Sequence, residues 1–357
     1  MIFEKVIELP ISVSDLSEIQ RMLKNSSVIC SVFDLSSFNV YSIDDYIKEK
    51  EIHGTKISAL FDRNIFTDII SLVRGKKATS SLESTRLVAA LMAFLQYADV
   101  FIEPNIALYE YASTNGSLTA NEEIRLFQIA DNIHPKIYAD IALKRKYILK
   151  MKSGKNSHIE AVYNFENQLR SWNFNYTIVL KLALIELGVI EQHQKMIRFM
   201  RLMFEEFYFG APATLFANCY FANKAKMKGL KSFDRKRAIA SLKNMTWDLT
   251  LLTEWAKKVE RQKENNTIWL LCSRDKTLMK IARCLMMSRH VENALEEKAK
   301  NNFIENWGNR IGIKLYGTYL QYKQTCNDKS RVANKGFPSQ YFEEIRLKFE
   351  RELLEKK

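Results

Sequence analysis

Ile57-Ser58-Ala59-Leu60-Phe61-Asp62-Arg63-Asn64-Ile65 is a short apolar run that ends in an acid and continues as a helical pattern through Ile69, Ile70 and Val73. The run predicts a buried strand, and the acid marks a tight turn. Apolar residues three and four apart predict an amphipathic helix after it. Gly54 punctuates the chain just ahead of the strand. Ligands of open α/β sheets bind at the carboxyl edge of the strands, which is where this reading puts Asp62. An Asp in that place is equally suited to cap the helix that follows. The choice between chemistry and capping rests on what the rest of the chain brings to the same edge.

Moving outward, a second helical pattern carries Leu87, Leu91, Phe94 and Leu95 on one face, and Val100-Phe101-Ile102 predicts a short strand. Pro104 then opens a helix holding Tyr109 and Glu110. Far downstream, Thr267-Ile268-Trp269-Leu270-Leu271-Cys272 is a second strong candidate for a buried strand. It ends in Ser273-Arg274-Asp275 and continues as a helix through Leu278 and Ile281. Ser273 is suited to cap that helix. Strands alternating with helices predict an α/β fold, a parallel sheet flanked by helices. Five regions are expected: an α+β lead-in over 1–55 with a strand near Phe3–Leu9, a first core part over 56–117, a mostly helical insertion over 118–240, a second core part over 241–320, and a loop and charged helix over 321–357. Within the insertion, Glu160–Trp172, Thr177–Ile190 and Glu191–Phe207 have helical spacing. The Met and Phe stripe of the last reads as core.

Charge points to a partner. The chain of 357 residues has 54 basic and 41 acidic side chains, a net +13, and such an excess marks polyanionic partners. Two segments hold nearly all of it: Lys144, Arg145, Lys146, Lys150, Lys152 and Lys155, and then Lys224, Lys226, Lys228, Lys231, Arg235, Lys236 and Arg237. Interleaved with Tyr147 and Phe233, they fit a track for a phosphate backbone, although a charge run is also the ordinary composition of a solvated face. The five scattered cysteines include no CxxC pair and the five histidines form no HExxH motif. A disulfide framework and a structural zinc site are therefore not expected, and a reducing, cytoplasmic setting is. The N-terminus has no basic segment followed by an apolar run, so no signal peptide is expected. The longest apolar stretch, Thr177–Ile190, contains Lys181 and Glu186 and is too short to span a bilayer, so no membrane association is expected.

Four acids qualify for one site: Asp62 and Asp275 at strand exits, and Glu110 and Asp248 on helices that project over the same edge if the strands neighbour each other. Gathered carboxylates repel, and cations relieve the repulsion. Hard oxygen donors suit Mg²⁺ or Mn²⁺, and metal-assisted hydrolysis of phosphodiesters is the chemistry such a set supports. No Ser/His/Asp or Cys/His set competes, and no GxxxxGK[ST] loop is present.

The same residues resemble the PIN-domain nucleases. The strand followed by Asp62-Arg63-Asn64 is similar to that family's opening D-x-N motif. Pro104 to Glu110 is similar to its second motif, Trp247-Asp248-Leu249 to its third acid, and Ser273-Arg274-Asp275 to its [TS]-x-D motif. The resemblance implies that Asp62, Glu110, Asp248 and Asp275 ligate Mg²⁺ or Mn²⁺, that Asn64 shapes the turn, and that Ser273 assists the site. It also implies a nuclease that acts on RNA in preference to DNA. Glu110 and Asp248 are 138 residues apart, a departure from a compact member of the family, hence the insertion. Two other expectations stand beside this one: a PIN-like scaffold that binds nucleic acid or a partner protein without cutting, and a helical interaction protein whose acids are caps. A protein partner or homo-oligomer fits any of them.

Overall fold

In the computed structural model, which describes residues 9–31, 38–76, 83–149, 163–165, 169–227, 229–232, 234–285, 294–328, 331, 336–337 and 340–356, Ser12 opens the first helix, α1 (Val13–Ser26). Its hydroxyl accepts the Asp15 amide at 3.2 Å. A two-residue strand, β1 (Ile29–Cys30), follows. Helix α2 (Ile43–His53) ends at Gly54, which turns the chain in the left-handed region at φ 60°. Then come β2 (Lys56–Phe61), α3 (Arg63–Val73), α4 (Glu83–Tyr97), β3 (Phe101–Glu103), α5 (Asn105–Asn115), α6 (Ser117–Asp131) and α7 (Pro135–Ala142). Helices continue through α8 (Arg170–Glu186), α9 (Gln192–Glu205), α10 (Ala211–Phe221), α11 (Arg235–Glu260) and the short α12 (Gln262–Asn265). Strand β4 (Thr267–Cys272) precedes α13 (Lys276–Cys284), α14 (Ala294–Trp307), α15 (Asn309–Thr325) and α16 (Tyr341–Glu355). The strand expected near Phe3–Leu9 falls on residues 1–8, outside the described residues.

The four strands form one sheet in the order β1-β4-β2-β3. Strand β2 lies between β3 and β4 and is parallel to both, with Ala59 opposite Ile102 on one side and Leu270 on the other. The expected parallel core is therefore present, but the sheet is mixed: β1 pairs antiparallel to β4, with Ile29 opposite Cys272. An antiparallel edge strand needs no crossover helix and is a common border of parallel sheets. The register aligns the carboxyl ends of β2 and β4, because Phe61 faces Cys272.

The chain divides into two compact units, residues 1–167 with 261–279, and residues 168–260 with 280–357. These borders differ from the expected ones, for reasons of packing. The lead-in is part of the first unit, since α1 packs on α4, and Ile19 and Leu23 join the core that holds β2. Residues 118–142 are also part of it: α6 packs on α3 and α5, and α7 on α4. Helix α4 departs from the one-faced stripe expected for it. Every residue from Val88 to Leu95 is fully buried, and a helix that is apolar all round belongs inside. Each large side chain buried there contributes about 1.5–3 kcal/mol.

Among its described residues the second unit is helical. Tyr163–Phe165 and Leu169 are not helical, so no helix runs across Glu160–Trp172, and α8 starts at Arg170. Helix α11 is a single 26-residue element whose buried residues include Leu242, Leu249, Leu252 and Trp255, and it packs on α8. That packing places residues 241–260 in this unit rather than in the sheet-bearing one. Of the stripe Ile197, Met200, Leu202, Met203, Phe204 and Phe207, expected as core, Met200, Leu202, Met203 and Phe207 are buried and Ile197 and Phe204 half-buried, while Met196 and Phe199 of α9 are fully buried beside them. The charged C-terminal helix α16 lies on α8, with the Tyr176 hydroxyl bonded to Glu350 at 2.6 Å. Gly312 lets α14 and α15 touch: a Cβ there would stand 2.7 Å from the Ile304 Cα and the Phe303 carbonyl. No described helix is long and apolar enough to cross a membrane.

Candidate functional site

The exits of β2 and β4 meet side by side in the first unit. The Asp62 amide donates to the Cys272 carbonyl at 3.0 Å, which holds Asp62 in the sheet for one more residue before α3 begins. Its backbone is extended (φ −70°, ψ 150°) in the N-cap position, yet its side chain makes no capping bond. Instead Asp62 Oδ2 accepts from the Ser273 hydroxyl and from Asn64 Nδ2. The carboxylate, only 6 % exposed, is thus held by one side chain from the first turn of α3 and one from the residue after β4.

Ser273 and Asn64 form the floor of this arrangement. The Ser273 oxygen also accepts the Asp275 amide at 2.9 Å and Asn64 Nδ2 at 3.2 Å. Asn64 Oδ1 accepts the Arg274 amide at 3.1 Å, and the Asn64 carbonyl accepts from the Arg274 guanidinium at 2.9 Å. The two sequence motifs, 209 residues apart, are therefore one hydrogen-bonded knot. Arg274 is further anchored by an ion pair to Asp68 at 2.9 Å.

Asp275 has a different environment. It is exposed, and its Oδ1 accepts the amides of Thr277 at 2.7 Å and Leu278 at 2.9 Å. The cap of α13 is therefore Asp275, and Ser273, expected in that role, turns toward Asp62 instead. An anion there also benefits from the helix dipole.

Glu110 is half-buried on α5. Burial, and next the negative charge of Asp62, push its carboxyl up to about 8, against a smaller opposing pull from Arg63. Burial likewise raises Asp62. The Ser273 hydrogen bond pulls it back, the charge of Asp275 raises it again, and the amides of Arg63 and Asn64 lower it. Three acids thus form one repulsive set with Asp62 as its common member. Arg63 does not cancel the set, because it is already engaged: its guanidinium forms a two-pronged pair with buried Glu123 at 2.5 and 3.1 Å and lies 4.1 Å from the Tyr111 ring centroid.

The fourth acid is elsewhere. Asp248 sits half-buried in the middle of α11, in the second unit. Among the described residues no three or more His, Cys, Asp or Glu side chains stand close enough to share a metal ion. The expected four-carboxylate centre is therefore not assembled among the described residues: Asp62, Glu110 and Asp275 are coupled through charge, and Asp248 belongs to the other unit. The donor chemistry still fits: Mg²⁺ is commonly held by one or two carboxylates, with water and substrate phosphate in its other positions.

The basic segments are also divided. In the first unit, Lys144 is exposed at φ 63°. Arg145 there is bonded to Asp15 at 2.6 and 2.7 Å, and Lys146 to Asp140 at 2.7 Å. Lys150, Lys152 and Lys155 lie outside the described residues. In the second unit, Lys224, Lys226, Lys231, Lys236 and Arg237 are exposed, while Arg235 is tied to the Leu230 and Lys356 carbonyls at 2.9 and 2.8 Å. Lys228 and Phe233 lie outside the described residues. Two cations in the first segment therefore serve local ion pairs rather than a phosphate track.

Sequence reading missed Arg63, Glu123, Asp68 and Arg274. Arg63 and Arg274 occupy the middle positions of the two motifs, and Asp68 stands one helical turn after Asn64, a spacing that brings side chains onto one face. Glu123 carried no such signal. Fold and site together define a mostly helical α/β protein of two units, whose first unit bears a carboxylate-lined sheet edge. No family model, curated protein or solved structure matches the chain.

Proposed function

We propose that this protein is a divalent-metal-dependent phosphodiester hydrolase acting on RNA, with a PIN-like site at the β2–β4 edge. The observation that carries the reading is the state of Asp62. It is a buried carboxylate at a strand exit, held by Ser273 and Asn64, unused as a cap, and charge-coupled to both Glu110 and Asp275. Perturbed carboxyls clustered at a sheet edge mark functional sites. Asp62 with Glu110 would hold Mg²⁺ or Mn²⁺, and the bound ion would polarise a phosphoryl oxygen and acidify a water.

The chain's own residues then have separable tasks. Ser273 and Asn64 fix the orientation of Asp62 through one of its oxygens. Glu110 keeps a proton near neutral pH while no cation is present, and it would release that proton when one arrives. Arg63 is immobilised by Glu123 and supplies a fixed positive field beside Glu110. The preference for RNA rests on the motif resemblance alone. A cytoplasmic setting is supported by the wide spacing of the five cysteines, which include no CxxC pair.

A second reading has its own observation. Asp275 is engaged as a helix cap, as it would be in a PIN-like scaffold that binds nucleic acid or a partner protein without cutting. Cleavage of labelled single-stranded RNA, structured RNA and flap DNA, each with Mn²⁺, Mg²⁺ or EDTA, separates the two. Metal-dependent cleavage of RNA, lost in Asp62→Asn, is the expected result. Parallel assay of Asp248→Asn decides whether the fourth acid takes part. Binding without cleavage under every metal condition would overturn the hydrolase in favour of the scaffold.

A further inference from the structure

The second basic segment does more than coat a surface. Its first half closes a cavity of about 490 Å³ that lies wholly within the second unit, between the end of α8 and the loop after α10. Glu186, Tyr220, Asn223, Lys226, Lys231 and Ser232 line it. A preformed cavity of this size is in the range that takes small-molecule ligands.

The charge of the wall is one-sided. Glu186 is the only acid lining it among the described residues, and that acid is already neutralised: the Lys195 ammonium, 5 % exposed, donates to the Glu186 carbonyl at 2.6 Å and stands 3.4 Å from its carboxylate. Lys226 and Lys231 are exposed and have no acidic partner among the described residues. Two uncompensated ammonium groups at the mouth of a cavity favour an anion. Leu230, 2 % exposed, and the half-buried Tyr220 and Met227 also line the cavity, and the Tyr220 ring is held against Phe216 at 4.8 Å between centroids, so the wall includes an apolar, partly aromatic surface. Asn223 and Ser232 add a carboxamide and a hydroxyl, groups that both donate and accept. The turn that brings Lys226 and Lys231 to the same cavity runs through Gly229 in the left-handed region at φ 72°, and the Ser232 amide donates to the Gly229 carbonyl at 3.0 Å.

An anionic group, a flat ring that stacks on an aromatic side chain, and polar edges are together the chemistry of a nucleotide. We propose that this cavity binds a nucleotide, with its phosphate at Lys226 and Lys231 and its base against Tyr220 and Leu230. The nucleotide is either free or the phosphorylated end of a strand. The site is separate from the carboxylate edge, which belongs to the other unit, and the inference does not depend on the hydrolase reading.

The test is calorimetric titration of the full chain in EDTA with AMP, adenosine, inorganic phosphate, and a short single-stranded RNA with and without a 5′-phosphate. Saturable one-to-one binding of AMP is expected, with adenosine and inorganic phosphate each at least tenfold weaker. The double variant Lys226→Glu, Lys231→Glu should weaken AMP at least tenfold. Lys236→Glu, Arg237→Glu makes the same change of charge outside the cavity and should alter binding less than twofold. Both pairs are exposed, and thermal melting confirms that the variants fold. Tighter binding of the 5′-phosphorylated strand than of AMP assigns the site to a strand end, and equal or weaker binding assigns it to the free nucleotide. Absence of saturable binding by AMP and by the strand, inorganic phosphate as tight as AMP, or equal losses in the two double variants would each overturn the proposal. Asp62→Asn should bind AMP as the wild type does, so failure of the hydrolase leaves this result standing.

Discussion

Replacing Glu110 with Gln should make the first unit more resistant to rising pH. The Glu110 carboxyl stands at about 8 in the folded protein, against 4.5 for the unperturbed group. Between those values the folded chain holds a proton that the unfolded chain has lost, so stability falls as pH rises from 4.5 to about 8 and then levels off. At about 1.4 kcal/mol per pH unit, and allowing for solvent that reaches a half-buried side chain, the loss is on the order of 2–4 kcal/mol. Gln carries no charge to desolvate and escapes it. Because the chain has two units, one global melting curve does not isolate the effect. Hydrogen exchange at the sheet amides of Ala59–Phe61 and Leu270–Cys272 does. In EDTA, the variant should gain that margin over wild type at pH 8.5 relative to pH 5. Mn²⁺ at pH 8.5 should then protect the wild type and leave the variant unchanged. An identical pH response of the two proteins in EDTA would refute the assignment of the raised carboxyl, and with it the charge coupling between Glu110 and Asp62.

Ser273→Ala removes the hydroxyl that donates to Asp62 and accepts from Asp275 and Asn64, at a cost of about 1–3 kcal/mol in denaturant titration. It should also raise the Asp62 carboxyl further, visible in a carboxyl NMR titration, because that hydrogen bond is what lowers it. Arg63→Met leaves Glu123 buried and unpaired and should cost about 3–5 kcal/mol, and adding Glu123→Leu should recover most of the loss. Gly312→Ala forces apart the backbones of α14 and α15 and should cost about 1–3 kcal/mol in the second unit. Gly317→Ala on the same helix meets nothing within 4 Å and should stabilise it by up to about 1 kcal/mol, so comparing the two melts separates close approach from helix propensity.

Local patterns were legible where a single element determined them. Both long strands, the helix after Asp62 and the Met-rich face of α9 follow from apolar spacing, and each is found within a residue or two of its expected place. Patterns that depend on partners were not. Residues 88–95 of α4 contain Val88, Leu91, Met92, Phe94 and Leu95 among three alanines, and only packing from several sides tells a buried helix from a one-faced one. The two-unit division follows from α11 lying on α8, a pairing between positions about 75 residues apart, as in the Asn175–Thr250 hydrogen bond at 3.2 Å. Short motifs gave no measure of that distance. The sequence therefore groups Asp248 with the sheet acids because it precedes β4, while its helix packs on α8, α10 and α16 within the second unit.

Asp62 and Asp275 are the informative pair, since both leave a buried strand, both precede a helix, and the sequence alone treats them alike. What separates them is the residue two places away. Behind Asp275, its own chain supplies two free amides at 2.7 and 2.9 Å, so its charge is satisfied locally and its exposed position carries little desolvation cost. At Asp62 the capping bond is absent, and Asn64 and Ser273 take the carboxylate instead, one from its own helix and one from the adjacent strand. Burying a carboxylate is costly unless something in the structure favours the ion, and at Asp62 burial outweighs the hydrogen bonds that favour it. The fold retains a buried acid, holds it with the Asn64 and Ser273 side chains and the first amides of α3, and keeps Arg63 occupied by Glu123. That combination leaves the charge of Asp62 uncancelled at the sheet edge, which is the condition a cation-binding residue requires and a capping residue does not.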